Sequence, residues 1–104
     1  MTFTLGFATY ADLAEHFEDH ALELGIATHS EYEETADYFI GGPLDRTTTR
    51  ECHRRNGDTL RYNEETEEFA VMSKDGYILT YYIADPELHG QPNNREYFLR
   101  ECKQ

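Results

Sequence analysis

The chain has no tryptophan, 3 prolines and only 2 cysteines among 104 residues. Three prolines and no low-complexity tract leave no room for a proline-rich linker. Cys52 and Cys102 lie far apart and outside CxxC spacing, so a zinc or redox reading has little support and two buried or surface thiols are the expectation. No stretch approaches the roughly 18 consecutive apolar residues of a membrane span. The N-terminus, MTFTLGFATYAD, lacks the basic-then-apolar signature of a secretory signal, so a soluble, unprocessed, cytoplasmic chain is expected.

The most telling absence is positional. Residues 1–45 hold no Lys or Arg at all, yet carry ten acids (Asp12, Glu15, Glu18, Asp19, Glu23, Glu31, Glu33, Glu34, Asp37, Asp45). The whole chain is −12, so the first 45 residues account for −10 and the other 59 for only −2. From Arg46 to Tyr62, five arginines (Arg46, Arg50, Arg54, Arg55, Arg61) outnumber Glu51 and Asp58, a local +3. A cationic strip inside an acidic protein can bind an anion locally while the overall field repels it.

What is present suffices for one small domain over residues 1–104. Eight Tyr and six Phe supply large side chains for a core, which excludes disorder of the whole chain. Leu13, Phe17 and Leu24, with Ala14 and Ala21, make one helical stripe over about 10–24, stopped by Gly25. Thr28-His29-Ser30-Glu31 and Ser30-Glu31-Tyr32-Glu33 both match the capping box, and predict a second helix over about 31–40 that buries Tyr32, Ala36 and Phe39 or Ile40. Gly41-Gly42-Pro43 ends it. Strands follow over about 47–55, 58–63, 69–72 and 77–83, with Asn56-Gly57 as a two-residue hairpin turn and Lys74-Asp75-Gly76 as another. Residues 84–94 read as an ordered loop and 95–102 as a short terminal helix. The expected fold is α+β: two N-terminal helices, a four-stranded antiparallel meander and a short C-terminal helix.

Three groups of residues could carry chemistry. His16 and His20 are four apart and share a helix face. HFEDH matches the zinc-protease HExxH only in its histidines, because Phe17 stands where the general base would be. A metal site would need a third ligand such as His53 or His89; acid/base work needs none, and His suits it. A two-residue turn would pair Arg54 with Thr59 and Cys52 with Arg61, setting Arg50, Arg54, Arg61 and Thr59 on one face as a phosphate grip. The same arginines could equally bind the acidic helices. The strand YILTYYI would place Ile78, Thr80 and Tyr82 on one face and Tyr77, Leu79, Tyr81 and Ile83 on the other, making Thr80 a hydroxyl among large side chains; His89 and Tyr97 are further polar candidates.

The segments HFEDHALELG, YEETADYFIGG, NGDTLRYNEETEEFAVMSKDGYILTYYIADPELHG and the closing YF together resemble the small ribonuclease toxin domains at the C-termini of bacterial polymorphic and contact-dependent toxins, the barnase, EndoU, colicin-D and RelE-like group. The likeness covers roughly residues 15–98. It implies a metal-independent ribonuclease acting on tRNA or mRNA without a cofactor, with a cognate inhibitor or immunity protein as partner. Carried over, it points to His20 and His16, Arg61, Thr80 and Tyr97 as catalytic residues; for such a cleavage Arg50 and Arg54 are the candidates for phosphate and Tyr62 or Tyr82 for stacking a base. One departure is clear: Tyr81, Tyr82 and Ile83 follow the threonine where a Phe and a Lys are expected. Two other readings stay open, a non-catalytic acidic module for a basic protein partner and a His-based metal-binding protein.

Overall fold

Side-chain caps set where the first helices begin. In the computed structural model, which describes residues 2–104, α1 runs Tyr10–Leu24 behind Thr9, whose hydroxyl accepts from the Asp12 N–H, and ends on Gly25 in the left-handed region. Helix α2 runs His29–Gly41. Of the two capping-box matches the first is used: the Thr28 hydroxyl accepts from the Glu31 N–H, so the helix starts two residues before the predicted position.

Four strands follow, β1 Thr49–His53, β2 Thr59–Asn63, β3 Glu68–Met72 and β4 Ile78–Ile83, antiparallel and in the order β1-β2-β3-β4. The predicted loop after them holds a single turn, α3 Pro86–His89, and the chain closes with α4 Asn94–Cys102. The N-terminal segment joins as well: Leu5 and Gly6 exchange backbone bonds with Gly76 and Ile78, and the buried Asp37 carboxylate takes the Phe3 and Thr4 N–H groups and the Thr4 hydroxyl. Burial opposes charge on Asp37, but these hydrogen bonds win and hold its carboxyl below the ordinary range.

The sheet is covered on both faces. Against one lie α1 and α2, packing Leu13, Tyr32, Ala36 and Ile40 onto Ala70, Ile78 and Tyr81, with Tyr32 0% exposed and its hydroxyl on the Tyr81 carbonyl. Against the other lies α4, whose Phe98 meets Leu60, Tyr62, Phe69 and Val71.

Three expectations are corrected here. The β1–β2 loop has three residues, not two: Arg54 and Asp58 close it, with the Arg54 N–H on the Asp58 carbonyl at 2.8 Å, and Gly57 takes φ 97°. Gly57 also has no room for a side chain, since a Cβ there would stand 2.7 Å from that of Lys74. One extra loop residue shifts the register by one, so Cys52 pairs with Leu60 and Glu51 with Arg61. Because side chains alternate, Arg61 lands on the face opposite Arg50 and Arg54. Second, the register breaks between Val71 and Met72, so Thr80 pairs with Val71 but Ile78 with Met72. This irregularity turns Ile78 to the α1/α2 side with Tyr81, away from Thr80 and Tyr82. Third, the cysteines are not thiols. Cys52 and Cys102 are joined as a cystine across 50 residues, tying the end of α4 to β1.

Candidate active site

Helix α1 packs beside β4, an edge strand, and that edge lets a residue of the helical layer reach the other face. His20 does so. Its ring lies 5.2 Å, centroid to centroid, from Tyr82, which stands on the α4 side of the sheet next to Phe69. Tyr97 approaches from α4 until the two phenolic oxygens are 2.5 Å apart. His20, Tyr82 and Tyr97, with Asp19, Glu23 and His89, line a cleft of about 300 Å³.

Each group in the cleft is held. Nδ1 of His20 is 2.9 Å from the Glu23 carboxylate, one helical turn on, which fixes the ring and leaves Nε2 for other work. Burial raises the Tyr82 phenol far above its ordinary pKa, and raises that of Tyr97 too, so both remain protonated. Two hydroxyls sharing one hydrogen bond use one proton between them, which leaves the other O–H to donate into the cleft. His89 lies flat under Tyr97, rings 4.1 Å apart and 5° from parallel. Its Nε2 meets Asn94 Oδ1 at 2.8 Å and its Nδ1 accepts the Gln91 N–H. The Asn94 amide is oriented by its own donors, which serve Glu67 and the Ala84 carbonyl. Both nitrogens of His89 are therefore spent, and the ring is a platform, not a base.

The other residues named from sequence fall elsewhere. His16 sits between Phe7 and His20, ring centroids 5.4 and 6.0 Å away, with Nδ1 buried and unpartnered. Burial first, then the neighbouring His20, pull its pKa below 6.5, although Glu15, Asp12 and Asp19 oppose them. Arg61, 9% exposed, donates to Glu51 at 2.6 Å and to the Phe39 and Gly42 carbonyls, fastening the end of α2 to the sheet. Arg54 does the same for α4, donating to the Glu101 carbonyl and carboxylate and to Asp58. Thr80 shares a face with Tyr82 and with Arg54, joined through the row Cys52, Leu60, Val71, Thr80. Tyr62 is buried against Phe98 and cannot receive a base. Arg50 lies at the far edge, bonded to Glu64 and lining a second cleft.

The metal reading finds no ligand set. His53 bonds Thr59 at the β1 edge, His89 is spent, and among the described residues no three His, Cys, Asp or Glu side chains converge. Also among the described residues, no helix is long and apolar enough to cross a membrane. No protein-family model matches the chain, and no curated protein is significantly similar to it.

Glu23 escaped the sequence reading although its i+3 spacing from His20 is a visible signal. The Tyr82–Tyr97 contact had none, because it joins residues 15 apart on different elements.

Proposed function

We propose that the His20 cleft is the reaction centre of a metal-independent endoribonuclease. The observation carrying this reading is the convergence of His20, Tyr82 and Tyr97, from α1, β4 and α4, on one cleft. RNA can cleave itself when its 2′-oxygen attacks the adjacent phosphorus: the O2′–P bond forms, the P–O5′ bond breaks, and a 2′,3′-cyclic phosphate remains. The attacking hydroxyl must lose a proton and the departing 5′-oxygen must gain one. In this reading His20 Nε2 takes the first proton with Glu23 orienting the ring, and the free O–H of the tyrosine pair gives its proton to the leaving 5′-oxygen. Arg54 positions Tyr97 through its hold on the end of α4. Arg61 has no part in the reaction.

The reading places the substrate in the cytoplasm, and any inhibitor would seal the cleft mouth. The test is incubation of micromolar protein with total RNA in EDTA. Cleavage by wild type, reduced about 10²- to 10⁴-fold in His20→Ala at unchanged melting temperature, is expected; RNA left equally intact by both overturns the reading. One observation favours the rival acidic module: Asp19, Glu23 and Asp85 rim the same cleft. If that module is correct, a lysine-rich peptide shifts the His20 NMR signals and RNA does not.

A further inference from the structure

On the other flank of α4, between that helix and β1, lies a second cleft of about 420 Å³. Its charge is opposite to that of the first. Arg46 from the turn before β1, Arg50 from β1 and Arg95 from the first turn of α4 converge on it. Arg46 and Arg95 are exposed, and among the described residues neither has a carboxylate within ion-pairing distance. Arg50 is steadied by Glu64 at 2.9 Å and by the Arg46 carbonyl at 3.1 Å. The one acid in the lining, Glu51, is already neutralised by Arg61 at 2.6 Å. Arg50 is thus matched by Glu64, but Arg46 and Arg95, from two further elements, stand without a matching acid in a protein of net charge −12. An anion entering this cleft would meet two unpaired guanidiniums beside a third that Glu64 holds in place.

The rest of the lining narrows the ligand. Leu99, 44% exposed, gives the cleft an apolar wall beside the guanidiniums, with the buried Phe98 beneath it. Phosphate next to a flat, weakly polar group is the chemistry of a nucleotide unit in a single strand. The position fits a strand that reaches both clefts. Tyr97 faces the His20 cleft, whereas Arg95 and Leu99, two residues away on either side and so turned by about 200°, face the arginine cleft. Three strand spacings, about 14 Å, separate the β4 and β1 edges, a span of a few nucleotides. The cystine lines this cleft and keeps its two walls together.

We propose that the Arg46–Arg50–Arg95 cleft holds a flanking phosphate of single-stranded RNA while the strand crosses α4. The ligand rests on the ribonuclease reading, but binding does not require cleavage, so the two can fail separately. A labelled 2′-O-methyl RNA hexamer, which cannot be cleaved by 2′-oxygen attack, is titrated by fluorescence anisotropy over a salt series. Wild type is expected to bind, and Arg46→Gln with Arg95→Gln to lose about tenfold in affinity and about 0.7 from the slope of log Kd against log salt, the share of one phosphate contact. The control pair Arg55→Gln with Arg100→Gln makes the same charge change outside the cleft and should move the slope little. Melting temperatures equal to wild type keep folding out of the comparison, and each single variant should show about half the effect. No binding by wild type, equal losses in both pairs, or equally tight binding of an oligoglutamate overturns the proposal, the last by assigning the cleft to an acidic protein. Inorganic phosphate that displaces the hexamer only at far higher concentration supports a strand over the free ion; displacement at the concentration of the hexamer itself overturns the strand. If hexamer binding depends on Arg46 and Arg95 while total RNA stays intact, the cleft stands and the ribonuclease reading falls; RNA cleavage with hexamer binding unchanged in the variants gives the reverse.

Discussion

The two faces of the sheet are built to different ends. On one, two helices of 15 and 13 residues seal a continuous apolar core, and the deep cation Arg61 is consumed by Glu51 and two helix-end carbonyls. On the other, a single helix of 9 residues crosses the sheet and leaves both flanks open. A four-stranded sheet is wider than one helix of about 10 Å. The uncovered margins become clefts, and polar side chains collect there because they need not be paired internally. Stability is concentrated on the first face and accessible chemistry on the second.

That contrast can be broken most directly at Arg61. Arg61→Gln leaves the Glu51 carboxylate short of its partner at a mostly buried site, and should cost roughly 3–5 kcal/mol, read as a melting temperature lower by about 15–25 °C. A variant that melts like wild type would show the first face to be less committed to stability than its bonding implies. Next is the cystine on the second face. Cys52→Ser with Cys102→Ser should cost about 2–4 kcal/mol, and hydrogen exchange should rise in α4 before it rises in the sheet. Equal protection of α4 and β2 in that variant would erase the difference between the faces.

Smaller effects refine the picture. Asp37→Asn weakens the clasp on Phe3 and Thr4 and should cost about 1–3 kcal/mol in chemical denaturation at neutral pH. Its folded pKa is depressed, so the contribution is present above the unfolded carboxylate range and is lost as pH falls through the folded value; the variant should lack that acid-side loss. Least of all is His16. Its folded pKa lies below 6.5, so the unfolded chain binds the extra proton and stability falls as pH drops below about 6.5, levelling off beneath the folded value. His16→Phe should flatten the stability profile over that interval, and an unchanged profile would place the titration elsewhere.

How much was legible follows from how local each feature is. The helix stopped by Gly25, the helix opened at Thr28, the stripe that buries Tyr32, Ala36 and Ile40, and the meander order rest on residues a few positions apart, and all are present in the fold. The arginine face was misread because a single residue of loop length, which Asn56-Gly57 does not specify alone, decides to which side every residue of β1 points relative to β2. The thiols were misread because pairing depends on where α4 docks, 50 residues from Cys52.

The sequence by itself determined the two long helices, the four strands, their order and the separation of charge between the acidic first 45 residues and the rest, since these depend on near neighbours and composition. Only the tertiary structure decided which arginines are structural and which are open, and which tyrosines meet His20. Those outcomes rest on register, on an edge strand and on the docking of one short helix, and none of these is encoded in a stretch of chain short enough to read alone.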